Sequence, residues 1–191
     1  MNSGRFEALI DAVVAIIITI IVLEIPLAAS GTWESLFELR LEFITYVVSF
    51  IVCFSFWNYH QNIFSIVNKV NYKILWINGI GLLILSFLPY FTIFVANNFY
   101  SLVAQSFYGL DYLLIVILNN ISSIILKRED KGNIALQIGV DTRIGPLISY
   151  IIIGIGYIIG FLFYPPAIIF SCLFALFASI HLYNLYKKIK N

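Results

Sequence analysis

The sequence predicts an all-α membrane protein with six transmembrane helices, and three observations carry that expectation. Hydrophobic residues make up 61% of the 191 positions and charged residues 11%, with a mean hydropathy of +0.97. That is more apolar surface than a water-soluble fold can hide. Six apolar segments can be drawn, at about 8–26, 43–64, 74–95, 104–126, 144–164 and 167–186, each near the roughly 20 residues a membrane helix needs. Basic residues, finally, are confined to alternate connecting segments.

The first segment, Arg5 to Pro26, reads RFEALIDAVVAIIITIIVLEIP. It places Asp11 inside an otherwise apolar helix, where an ionisable group is expensive enough to suggest function. A cleaved signal peptide is the competing reading, because Ala28-Ala29-Ser30 supplies small residues after the run. Glu7 beside Arg5, Asp11 within the run and Glu24 at its end argue for retention. On a helical wheel Ala12, Ile16, Ile20, Leu23 and Leu27 fall within about 40° of Ile16, with Thr19 at the edge of that stripe and Asp11 roughly opposite. Such a stripe serves lipid contact or helix packing equally well. A membrane-buried Asp11 needs protein partners, however, which makes this helix central.

The second segment ends in Phe56-Trp57-Asn58-Tyr59-His60 and the third begins near Asn78. Antiparallel packing brings Trp57, His60 and Asn78 to the depth of Asp11, and they are its expected partners. Arg5, six residues from Asp11, is about 120° away on the same helix and is expected to bond elsewhere. The fourth segment carries Asp111, read as a solvated residue near the helix start. Glu24 either concentrates cations at a pore mouth or rests at the membrane interface.

The fifth segment contains Gly154-Ile155-Gly156-Tyr157. It lacks the threonine and the second glycine of a carbonyl selectivity-filter loop, so the fold is expected to have none; Gly156 and Gly160 instead form a GxxxG packing pair. Tyr164-Pro165-Pro166 leaves room only for a tight hairpin into the sixth segment. With the N-terminus cytoplasmic, ten of the eleven basic residues lie inside: Arg5, Lys69, Lys73, Lys127, Arg128, Lys131, Arg143, Lys187, Lys188 and Lys190. Only Arg40 lies outside, in a segment made acidic by Glu34, Glu38 and Glu42. Both termini are therefore expected in the cytoplasm. One membrane domain spans residues 1–191.

Several functions are excluded. A net charge of +1 gives no electrostatic case for nucleic acid. No GxSxG, HExxH or phosphate-binding glycine loop is present, so neither an enzyme nor a cofactor or metal is expected. Cys53 and Cys172 lie in apolar segments without metal spacing and read as buried thiols.

Arg5, Asp11 and Val22-Leu23-Glu24 together resemble the opening of the bacterial branch of the transmembrane protein 175 family of potassium channels. That family begins its first helix with Arg-x-x-x-Phe-Ser-Asp; Leu9 and Ile10 replace the phenylalanine and serine here. Phe56 to His60, and Asn78 with Ser86-Phe87-Leu88-Pro89, resemble the family's second and third helices. The resemblance implies a homotetramer in the cell membrane, with potassium as permeant ion and a pore lined by the first helix. It places Ile16 at the narrowest gate ring, Thr19 in a selectivity layer of hydroxyls, and Ile20 and Leu23 in further apolar gate rings. Arg5, Asp11, Trp57, His60 and Asn78 would form a structural polar network. The rival reading is a small cation- or proton-coupled carrier using Asp11 and His60 as relay groups; a structural membrane protein without flux is a third.

Overall fold

The computed structural model describes residues 3–67, 71–140 and 143–190, with the side chains at 3, 139, 180 and 182–190 outside that description. Lys69 and the side chains of Lys187, Lys188 and Lys190 thus lie outside the described residues. Within them the chain is all-helical: α1 (Ser3–Leu23), α2 (Trp33–Glu38), α3 (Arg40–Phe64), α4 (Tyr72–Leu85), α5 (Leu88–Asn97), α6 (Leu102–Glu129), α7 (Ile134–Gly139), α8 (Ile144–Leu162) and α9 (Ala167–Lys190). Five stretches are long and apolar enough to cross a membrane: α1, α3, α4 with α5, α6 and α8. The apolar part of α9, Ala167–Ser179, accounts for the sixth predicted segment.

The third span is broken where one helix was expected. Pro89 has no N–H to give and its ring collides with the carbonyl one turn earlier, so the ladder between α4 and α5 tightens. Phe87 N–H donates to Ile84 O at 2.9 Å, and the Ser86 hydroxyl donates to Leu83 O at 2.6 Å. At the end of α1, Pro26 disfavours helical backbone in the preceding residue, and α1 stops at Leu23. Leu27, assigned to the α1 stripe by its wheel angle, is therefore a loop residue.

α1 buries Phe6, Ile10, Val14, Ile17 and Ile21, a row at the spacing of one helical face. It packs on α3 and, further along, on α5. The Phe6 ring meets Phe64 of α3 edge-on at 5.5 Å. α6 is the other central element and touches α4, α5, α8 and α9. A buried chain of hydroxyls pins these helices together: Thr92 of α5 bonds Ser49 of α3 at 2.8 Å, and Ser49 bonds Tyr108 of α6 at 3.0 Å. Burial removes water as a competing partner, so each such bond is made within the protein or not at all.

α8 and α9 form the expected hairpin around Tyr164-Pro165-Pro166, closed by Tyr164 N–H to Ile159 O at 3.0 Å and Ala167 N–H to Tyr164 O at 2.9 Å. Gly156 and Gly160 are buried against α9. A side chain at Gly160 would meet Ile168 Cγ1 at 2.6 Å, and one at Gly156 would run into the Ser171 side chain and approach Ala167 O at 3.3 Å. Their lack of Cβ atoms sets the distance between the two helices.

The two short helices sit in connecting segments. Thr32 caps α2 by accepting from Ser35 N–H at 3.3 Å, which leaves Trp33 and Phe37 exposed on one side. Asn133 caps α7 at 3.1 Å and reaches across to Ile66 O at 2.8 Å. Cys53 and Cys172 are both buried and free.

Candidate functional site

With the core row of α1 turned toward α3, the opposite side of the helix is left uncovered. Ile16 is 57% exposed, Ile20 39% and Leu23 80%, and Ala12 and Thr19 are exposed between them. Among the described residues nothing else in the subunit covers this apolar face. The Thr19 hydroxyl donates to Ile16 O at 2.7 Å, as membrane-helix threonines commonly do. That bond uses the proton and leaves lone pairs on the hydroxyl oxygen.

Asp11 lies on the flank of the same helix and ties it to α3. Its Oδ1 accepts from Trp57 Nε1–H at 2.8 Å and from Gln61 Nε2–H at 2.8 Å. The carboxylate is exposed on the subunit rather than buried, and it does not reach His60 or Asn78. Those two belong to a second, buried group in which His60 Nε2 lies 3.0 Å from Asn78 Oδ1. Asn78 Nδ2 donates to Ile74 O at 2.7 Å and to the Ser122 hydroxyl of α6 at 2.9 Å. Beside it Tyr59 donates to Asn119 O at 2.6 Å and contacts the Ser123 hydroxyl. The expected single network is thus two: one joins α1 to α3, the other joins α3, α4 and α6. Arg5 joins neither, being exposed and without a hydrogen bond or ion pair among the described residues.

One other expectation changes. Asp111 is not a solvated helix start, because Ser101 caps α6 and sets Asp111 more than two turns inside. It is only 4% exposed and its Oδ2 has no partner among the described residues. Glu24 is exposed past the end of α1 and borders a cleft shared with Glu42, Tyr46, Thr92 and Asn97. Gln61, not anticipated, lies one turn beyond Trp57 and so on the same face of α3. That spacing was the available signal.

Comparison with known proteins bears on the α1, α3 and α4 groups directly. Residues 5–89 match the family model described as the endosomal/lysosomal potassium channel TMEM175. A potassium channel of Chryseobacterium sp. (strain P1-3) is 34% identical over 165 residues, which covers 86% of this chain and 85% of that protein. The chain belongs to the TMEM175 family. A potassium channel of Chamaesiphon minutus is 32% identical over 128 residues, 62% of this chain and 63% of its own length. Beyond sequence, the fold is similar to the crystal structure of a lysosomal potassium-selective channel TMEM175 homologue from Chamaesiphon minutus. The TM-score is 0.74 at 25% identity, covering 97% of each chain. The TMEM175 match runs from Arg5 through Pro89 and so takes in Asp11, the exposed stripe, Trp57, His60 and Asn78.

Proposed function

We propose that this chain is the subunit of a potassium-selective channel in the cell membrane, in which residues 1–191 form one channel domain. The subunits assemble as a homotetramer around the exposed face of α1. The observation that carries this reading is the orientation of that face: Ile16, Ile20 and Leu23 point away from their own subunit's core. The family membership supplies the reason to place a pore there rather than lipid.

The physics of such a pathway is desolvation. A cation entering a narrow ring of isoleucine loses water that the ring cannot replace, so Ile16 acts as a gate that conducts only when widened and wetted. Thr19, one turn on, offers oxygens to a partly dehydrated ion. Potassium is the more weakly hydrated of the two common alkali cations, so it is favoured over sodium by a shell that hydroxyls replace only in part. Asp11 holds α1 in register through Trp57 and Gln61. A carrier using Asp11 and His60 as one relay finds no support, since the two sit in separate hydrogen-bond groups.

Purified protein in planar bilayers under a potassium gradient tests this function: channel-like unitary currents reversing near the potassium equilibrium potential support it, and saturable flux without unitary currents argues for a carrier. In the same preparation Thr19→Val, which keeps the shape and removes the oxygen, is expected to conduct with reduced preference for potassium over sodium. An unchanged bi-ionic reversal potential would remove Thr19 from the selectivity site.

Both termini face the cytoplasm in this reading, from the partition of ten basic residues against one. A thiol placed at Glu34, in a background without Cys53 and Cys172, is expected to react with impermeant reagent from outside the cell. Reaction from the cytoplasmic side alone would reverse the topology.

A further inference from the structure

The short helix α7 links α6 to α8 and contains no charged residue, its sequence being IALQIG. It has two apolar sides. Leu136 is fully buried and seats the helix against α6. Ile134 and Ile138, one turn apart on the other side, are 72% and 62% exposed, with Ala135 exposed beside them.

The rotation that turns these residues outward is fixed by hydrogen bonds. Gln137 Nε2 donates to Lys127 O at 2.8 Å and to Asp130 O at 3.2 Å, and Asn133 Nδ2 donates to Ile66 O at 2.8 Å. Asn133 and Gln137 are the polar residues of the stretch 133–138, and both spend their side chains on the protein. The outward face is left with nothing to offer water.

What covers it follows from its height in the membrane. α6 has 28 residues, about 42 Å at 1.5 Å per residue, against a hydrocarbon core of roughly 30 Å. Its last turn therefore emerges among lipid headgroups, and α7 follows within a few residues. Arg128 and Lys131 stand exposed at this level, where long cationic side chains reach lipid phosphates while their stems stay in apolar surroundings. The carboxylates between them are engaged, Glu129 by the Asn71 amide and Asp130 by the Asn133 amide. Three small apolar side chains offer far less than the roughly 1,200 Å² that a specific protein contact buries. A lipid layer covers a face of any size.

We propose that α7 is an interfacial helix docked on the phospholipid headgroup layer, with Ile134 and Ile138 set into the acyl boundary and Arg128 and Lys131 on lipid phosphates. Because Asn133 ties α7 to the segment just past α3, the docked helix also holds that end of α3 at a set height. The proposal requires that the chain spans a membrane and does not depend on what it conducts.

Full-length protein without Cys53 and Cys172 carries a single cysteine at Ala135, which leaves both isoleucines in place, and a nitrobenzoxadiazole label on that thiol. It is reconstituted in phosphatidylcholine–phosphatidylglycerol vesicles with iodide on both sides of the bilayer. The expected result is quenching by lipid bearing a nitroxide near the top of its acyl chain, and loss of the iodide quenching shown by the same label at Gly132, an open position in the adjoining loop. Ile134→Ser with Ile138→Ser is expected to restore iodide quenching at 135, and Arg128→Gln with Lys131→Gln to shift it the same way. A label at 135 as open to iodide as the one at 132 would overturn the docking. So would a label shielded from nitroxide and iodide alike, since protein, such as a second copy of the chain, would then cover the face. Quenching unmoved by the Arg128 and Lys131 substitutions would overturn the phosphate contacts.

Discussion

Gly156→Val is expected to prevent the subunit from folding stably, while Gly154→Val, two residues away, leaves its internal packing intact. The difference comes from what each new side chain meets. At Gly156 a Cβ already collides with the Cβ and Oγ of Ser171, and Ser171 is itself anchored by its hydroxyl bond to Ile168 O at 2.7 Å. No rotamer change relieves that contact, so α8 and α9 must move apart. Forcing extra carbons into a packed helix contact typically costs about 1–3 kcal/mol, and a branched residue against backbone-proximal atoms falls at the upper end. A Cβ at Gly154 meets nothing within 4 Å among the described residues. Thermal unfolding of the two variants in detergent checks this, and equal midpoints would show that the glycine does not set the α8–α9 distance.

Ile16→Asn is expected to raise potassium current about tenfold or more. The energy barrier at an apolar ring is the water a cation gives up there, and an amide from each subunit lets water stay. Removing as little as ~1.4 kcal/mol of barrier yields that tenfold increase. Single-channel recording separates conductance from open probability. If neither changes, the narrowest constriction is elsewhere.

The exposed face of α1 was legible in the sequence because the helical period needs only the residues of one helix. Ile16, Thr19, Ile20 and Leu23 form a face that a wheel finds without a neighbour. Leu27 was misplaced because the wheel assumes the helix continues, whereas Pro26 ends it early. The break before Pro89 was not expected, although the missing N–H was there to be read, and its exact residues depend on how Ser86 and Phe87 re-satisfy their backbone. Depth matching brought Trp57, His60 and Asn78 together to the level of Asp11, but it could not say which residues of α3 face which helix. Rotation about the α3 axis decides that, and it sent Trp57 and Gln61 toward α1 and His60 toward α4. Asp111 was misjudged for the same reason that helix starts are hard to read: the Ser101 cap moves the beginning of α6 outward and carries Asp111 into the core. Ser122 and Ser123 gave no signal, since serine is ordinary in membrane helices and their roles arise only from the packing of α6 on α3 and α4.

The account's central claim is that the Ile16 face of α1 lines the ion pathway, and thiol block of potassium current tests it most directly. Single cysteines at Ile16, Ile20 and Leu23, on the exposed face, are compared with cysteines at Val14 and Ile17, on the core row, in protein without Cys53 and Cys172. A small water-borne thiol reagent is expected to block current through channels carrying the first three and to spare the last two. Full current through a channel fully modified at Ile16, or block from Val14 and Ile17 instead, would contradict it.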